Sequence, residues 1–149
     1  MTKKKKPSKK KVKSPLLPKS KIPTPWTKLP KKLDKYVGMV YKITELDTGM
    51  IYIGIKKFWA KRTRKPLKGY KRKRVDYIES DWKTYKTSSA ILCPKMIENP
   101  DNYKCECVRA CETVTELKAW EACIQLDYYV NGDWSKLYNG LISLKIRIR

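Results

Sequence analysis

Four side chains in this sequence could do chemistry together: Tyr41, Tyr52, Arg62 and Glu121. A free tyrosine hydroxyl titrates at about 10, so Tyr41 could take part in proton transfer near neutrality only with cations beside it, and Lys42, Lys56 and Arg62 are within reach in sequence. Glu121 falls within an apolar stripe of helical spacing, Leu117, Trp120, Ile124 and Tyr128, which directs its carboxylate toward a sheet. An ionised carboxylate buried without a partner costs several kcal/mol. Its partner is therefore a divalent metal or an arginine, unless the side chain snorkels to water from the edge of the stripe. The chain has no histidine. That excludes histidine-dependent triads, HNH nucleases and histidine-ligated metal sites.

The elements that must position these groups begin with two segments rich in β-branched and aromatic residues, Gly38 to Ile43 and Met50 to Gly54, separated by the turn residues Asp47-Thr48-Gly49. They predict a β-hairpin. Tyr41 and Tyr52 lie an odd number of positions apart, so their rings share a face only across a loop of even length. A four-residue loop from Leu46 to Gly49 pairs Glu45 with Met50, Tyr52 with Ile43 and Gly54 with Tyr41. Gly54 would then leave open space beside a tyrosine hydroxyl, where a phosphate could approach. An ordinary hairpin with half-buried tyrosines satisfies the same pattern.

Downstream, Lys56 to Lys65 predicts a short helix that carries Arg62 and ends near Pro66, followed by a loop from Pro66 to Val75. From Lys56 to Arg74 there are eleven basic residues and no acid: Lys56, Lys57, Lys61, Arg62, Arg64, Lys65, Lys68, Lys71, Arg72, Lys73 and Arg74. Interleaved with Phe58, Trp59 and Tyr70, they suit a nucleic-acid backbone, with a solvated face as the alternative. Tyr103 to Val108 predicts a third strand beside the hairpin. Thr113 caps a helix to about Val130 that Gly132 stops. The closing residues 143 to 149 alternate apolar and basic and predict an edge strand, which either holds DNA or guards the edge.

Charge marks the domain boundary. Residues 1–35 hold fourteen lysines and one acid, so they carry +13 of the total +22 and leave +9 for residues 36–149. Prolines recur there and aliphatics are sparse, so a disordered tail is expected over 1–35 and a folded domain over 36–149. Such a tail favours nucleic acid through counterion release; a localisation signal or a solubility tail are the alternatives. No apolar run approaches the roughly 20 residues that span a bilayer and no signal-peptide core is present, so a soluble, intracellular protein is expected. Five cysteines in such a chain default to reduced thiols. Cys105-x-Cys107-x3-Cys111 lacks the two-residue spacing of common zinc knuckles.

The hairpin, the tripeptide Tyr52-Ile53-Gly54 and Arg62 eight residues later together resemble the GIY-YIG nuclease family, with Met39-Val40-Tyr41 where the first tripeptide stands. The stretch Glu79 to Tyr85 with Ser88-Ser89 is similar to phage-encoded Seg-like homing members. The resemblance covers roughly residues 36 to 142. It implies a small α+β fold, a three-stranded antiparallel sheet flanked by helices, and metal-dependent hydrolysis of double-stranded DNA. It implies that Glu121 ligates one Mg²⁺ or Mn²⁺ per active site, that Arg62 polarises the phosphate, and that Tyr41 acts as general base with Tyr52 positioning the water. It implies further that Tyr138-Asn139 closes the site, although Asn139-Gly140 is also an ordinary turn pair. Many members carry a histidine or tyrosine four residues after the arginine, where this chain has Pro66; Lys65, Tyr70 or Tyr85 would replace it. The competing readings are a noncatalytic basic protein that retains the nuclease fold and a ribosome-associated or RNA-packaging protein.

Overall fold

The computed structural model describes residues 24–140 and residue 142. Residues 1–23 of the tail expected over 1–35, and the edge strand expected over 143–149, lie outside them. The strands are β1 (Trp26–Thr27), β2 (Gly38–Glu45), β3 (Ile51–Lys57), β4 (Trp59–Arg64), β5 (Arg74–Glu79) and β6 (Tyr103–Cys111); the α-helices are α1 (Leu92–Glu98) and α2 (Val114–Val130).

The hairpin forms in the expected register. Glu45 N–H donates to the Met50 carbonyl at 2.8 Å, Tyr41 lies opposite Gly54, and Ile43 lies opposite Tyr52. The third strand also forms as expected. Beside β2, β6 runs antiparallel, with a bulge where Val40 pairs with Arg109 but Tyr41 pairs with Cys107, leaving Val108 unopposed. The sheet has four strands rather than three, in the order β1-β6-β2-β3, because β1 adds to β6 in parallel. The folded unit therefore reaches back into the expected tail, at least to Thr24. Trp26 is buried and donates its indole N–H to the Trp82 carbonyl at 2.9 Å, a long-range anchor that a charge count over residues 1–35 averages away.

Two apolar layers cover the sheet. On one face Met39, Tyr41 and Ile43 pack with Trp26, Phe58, Trp82, Leu92 and Met96. On the other, Val40, Ile51, Ile53 and Cys111 pack beneath Leu117 of α2. The Thr113 side chain caps α2 by accepting from Glu116 N–H, and Gly132 follows its end at φ +81°. Cys105 and Cys107 lie in the first layer and Cys111 in the second, so the sheet separates the three thiols that a zinc site would have to gather.

The expected helix over Lys56 to Lys65 is instead the end of β3 and the whole of β4. The chain stays extended because Phe58, fully buried between the strands, donates its N–H to the Val37 carbonyl, and because β4 finds a partner in β5. Val75, Tyr77 and Ile78 are good strand formers. As a helix, the segment would bring only the adjacent pair Phe58 and Trp59 to a core and have no stripe to bury. The expected loop shortens accordingly, since Arg74 already belongs to β5.

Glu45 ties the hairpin to the C-terminal segment. Its carboxylate accepts from the Thr48 hydroxyl and from the Tyr103 and Tyr138 hydroxyls, the latter two at 2.7 Å, and these donors, Thr48 foremost, hold its pKa down at about 2 from an ordinary 4.5. The folded carboxyl stays ionised where the unfolded chain's takes up a proton. Its contribution is thus fully present above about pH 4.5 and is lost as pH falls toward about 2, up to about 3 kcal/mol in all. Chemical denaturation between pH 2 and 7 should show wild type losing stability through that window more steeply than Glu45→Gln.

Candidate active site

Tyr41, Tyr52, Gly54 and Lys56 share one face of the hairpin, as two-residue alternation requires. The Tyr41 and Tyr52 ring centroids are 6.1 Å apart, and the Tyr41 hydroxyl sits 3.4 Å from that of Tyr85. Lys56 places its ammonium 3.7 Å from the centre of the Tyr85 ring and 2.7 Å from the Asp81 carboxylate, whose pKa it lowers. The Tyr52 hydroxyl reaches Ser88 at 3.1 Å. Of the three residues named as substitutes at the Pro66 position, Tyr85 is the one that joins the tyrosine cluster. Lys65 and Tyr70 are exposed in the β4–β5 connection.

The space beside Gly54 is filled by Tyr41 itself. A Cβ added there would lie 2.6 Å from the Tyr41 hydroxyl oxygen and 2.7 Å from its Cζ. Gly54 therefore admits a tyrosine ring rather than a phosphate. Tyr41 is fully buried, and burial together with its Tyr85 partner pushes its pKa well above the ordinary tyrosine value. The cations expected to lower it are not against it: Lys42 is on the other face with Glu106, and Lys56 reaches it only through Tyr85.

β3 is a free edge of the sheet, and its outward backbone groups are taken at three of four successive positions. The Ile51 carbonyl accepts from Tyr138 N–H at 2.8 Å. Asn139 brackets Ile53, accepting from its N–H at 2.9 Å and donating to its carbonyl at 2.8 Å, while Gln125 adds a third bond at 3.3 Å. The Lys57 carbonyl accepts from the Ser80 hydroxyl at 2.6 Å. Ile55 lies between these closures, and among the described residues its outward N–H and C=O have no partner. A cleft of about 940 Å³ opens there, lined by Ile55, Lys56, Lys57, Lys61, Asp81 and Tyr85.

Glu121 lies along β3 outside the cleft's own lining, to which α2 contributes Val114. It sits on one row of α2 with Leu117 and Gln125, a turn from each. Leu117 packs at Gly38, the partner of Lys57, and Gln125 reaches Ile53, so the row runs beside β3 with Glu121 at the level of Ile55. Glu121 is half-buried, and burial raises its pKa above the ordinary carboxylate value, with Lys118 partly offsetting that. Its charged form is poorly solvated there. Mg²⁺ characteristically keeps several waters and takes one or two carboxylates plus phosphate oxygens, and a single under-solvated carboxylate at an open edge fits that donor set.

Arg62 is not brought to the tyrosines. It stands on β4, exposed, across from Asp76, on the ribbon face shared by Arg64 and Arg74, whereas Trp59, Lys61 and Tyr77 alternate onto the other face. Among the described residues it makes no hydrogen bond, ion pair or ring contact. Of the other expected nucleic-acid contacts, Lys57 is exposed, and Lys61, Arg64, Lys65, Lys68, Lys71, Arg72, Lys73 and Arg74 are exposed on the ribbon and its loop. Lys56 is the cation at the tyrosines, and its place two residues after Gly54 is the signal that assigns it to their face.

A family model described as putative endonuclease segE, GIY-YIG domain, matches residues 23–142. No curated protein and no solved structure matches the chain. Within the described residues no helix is long and apolar enough to cross a membrane.

Proposed function

The chain belongs to the GIY-YIG endonucleases of the SegE type, and from that premise we propose a finer reading: a divalent-metal-dependent hydrolase of double-stranded DNA whose reacting phosphate enters at the open Ile55 stretch of β3. The observation that carries this is the packing of three tyrosine rings and Lys56 on one face of the sheet, with Lys56 and Tyr85 lining the opening; the row of α2 that carries Glu121 runs along β3 on the other face. Phosphodiester hydrolysis needs charge neutralisation on the phosphorus centre and groups that hold and move protons. Glu121 would hold the ion, one Mg²⁺ or Mn²⁺ per site, which when bound would supply Lewis-acid polarisation of the phosphate oxygens.

Lys56 neutralises the phosphate from the tyrosine side, and Arg62, which stands on the ribbon face turned away from the cleft-lining Trp59, Lys61 and Tyr77, contributes its planar, always-charged fork only once the ribbon shifts on bound DNA. Tyr52 orients the attacking water. Tyr41 and Tyr85 form a hydroxyl pair through which a proton passes outward; Tyr41, buried with its pKa raised, gives up its proton only as that pair meets positive charge. Asn139 positions these groups by fixing Ile53 between Tyr52 and Gly54. A homing endonuclease of phage origin that works in a host cytoplasm is part of the same proposal.

Nicking of supercoiled plasmid by the full chain tests the reading. Cleavage is expected in Mg²⁺ or Mn²⁺ and not in EDTA, and Lys56→Met and Arg62→Ala should each lower the single-turnover rate about a hundredfold with the fold intact. Salt-sensitive DNA binding without cleavage in any metal would replace the nuclease by a noncatalytic DNA-binding protein of the same fold.

A further inference from the structure

The β4–β5 ribbon is built unlike the rest of the molecule. Each strand has six residues, so it extends roughly 20 Å. Residues 59–79 carry nine basic side chains against two acids, Asp76 and Glu79. Near its tip Arg64 and Arg74 stand directly opposite one another, a like-charge cross-strand pair that destabilises an isolated ribbon. Among the described residues both guanidinium groups are held by Nε alone: Arg64 Nε lies 2.6 Å from the Asp76 carboxylate, and Arg74 Nε donates to the Lys65 carbonyl at 3.4 Å. Among the described residues that leaves the paired terminal NH₂ groups of each arginine without a partner.

A two-stranded ribbon fits the major groove of B-DNA, and an arginine's free fork matches the O6 and N7 acceptors of guanine there. The geometry points to β4–β5 as a major-groove reader of duplex DNA, in which Arg64 and Arg74 contact guanines. Lys65, Lys68, Lys71, Arg72 and Lys73 of the connecting loop flank them on the phosphates. The like-charge pair is relieved when electron-rich base edges and phosphates surround it, and Asp76 acts as the brace that aims Arg64. This rests on the reading of duplex DNA as substrate, and it assigns to the ribbon the choice of where the DNA is cut.

The test is equilibrium binding in EDTA, where no cleavage occurs, to duplexes selected by the full chain from a randomised pool and to the same duplexes with 7-deazaguanine, which removes N7 and leaves base pairing and backbone unchanged. Affinity is expected to fall about tenfold per contacted guanine for wild type and to be unaffected in the Arg64→Ala, Arg74→Ala double variant. Substituting the loop lysines should instead weaken all duplexes alike and flatten the salt dependence by about one unit of slope per phosphate contact. Selection of no preferred sequence, or 7-deazaguanine duplexes bound as tightly as guanine ones, overturns the ribbon assignment while leaving the nuclease reading standing. Failure to bind any duplex overturns both. A 7-deazaguanine effect in a protein that never cuts supports the ribbon and removes only the catalysis.

Discussion

Glu121→Gln should lower the cleavage rate about a thousandfold while DNA affinity stays within a factor of a few and the folded state becomes no less stable. The rate follows from the metal proposal: a neutral amide is a poor ligand for a hard cation, and losing about 4 kcal/mol of charge stabilisation at the phosphate corresponds to that factor. The stability follows from burial. Because the folded carboxyl titrates above its unfolded counterpart, the folded state is penalised as pH rises through the unfolded value and on to the folded one, and at neutrality glutamine escapes that penalty. The two readouts move in opposite directions. A structural carboxylate would lower both together, so a destabilised Glu121→Gln protein with a proportionate loss of rate would remove Glu121 from the metal. Single-turnover cleavage beside thermal unfolding of the same two proteins decides it.

The parts of the fold visible in the sequence are those set by short-range periodicity. Alternation fixed which tyrosines share a face, and the even loop fixed the register of β2 on β3. Thr113 and Gly132 marked the two ends of α2, and the apolar row put Glu121 toward the sheet. What escaped depends on partners far along the chain. β4 is extended because β5 pairs with it and because Phe58 plugs the core; neither is legible in a ten-residue window of lysine, arginine and aromatics, which scores as a helix. Trp26 belongs to the sheet through Trp82 and β6, contacts 56 and 79 residues away, so a boundary drawn from charge fell too late.

The candidate site divides on the same line. Tyr41, Tyr52, Gly54 and Glu121 fall where spacing put them. Lys56 gained its place because Tyr85 and Asp81 come from a distant loop to meet it, while Arg62 moved outward with the ribbon. The consequence is a candidate site with its proposed cations on two elements: one packed on the tyrosines, the other on a ribbon tied to the body near its root, by the Trp59 indole to the Tyr36 carbonyl at 3.0 Å and by the Glu79 carboxylate to the Trp82 indole at 3.0 Å and the Lys83 ammonium at 2.7 Å. Segments with few buried contacts are where conformational adjustment is least costly, so the ribbon can follow DNA while the tyrosine cluster stays fixed.

Gly54→Ala tests how firmly that cluster is fixed. The added methyl would overlap the Tyr41 hydroxyl oxygen and Cζ at 2.6 and 2.7 Å and approach Tyr52 Cε1 at 3.0 Å. Tyr41 cannot step aside, because its other side packs on Trp26 with ring centroids 4.9 Å apart and nothing of it reaches solvent. Overpacking a closed core of this kind costs about 1–3 kcal/mol, and the displaced rings should lower cleavage by at least about a hundredfold even where the protein remains folded. The double variant Gly54→Ala, Tyr41→Leu isolates the cause. If ring contact is the origin, adding Gly54→Ala to the Tyr41→Leu background should cost well under half of what it costs in wild type, a coupling measurable by urea denaturation. Equal costs in both backgrounds would mean that the glycine is needed for its backbone rather than for the tyrosine above it, and the fixed cluster would lose its support.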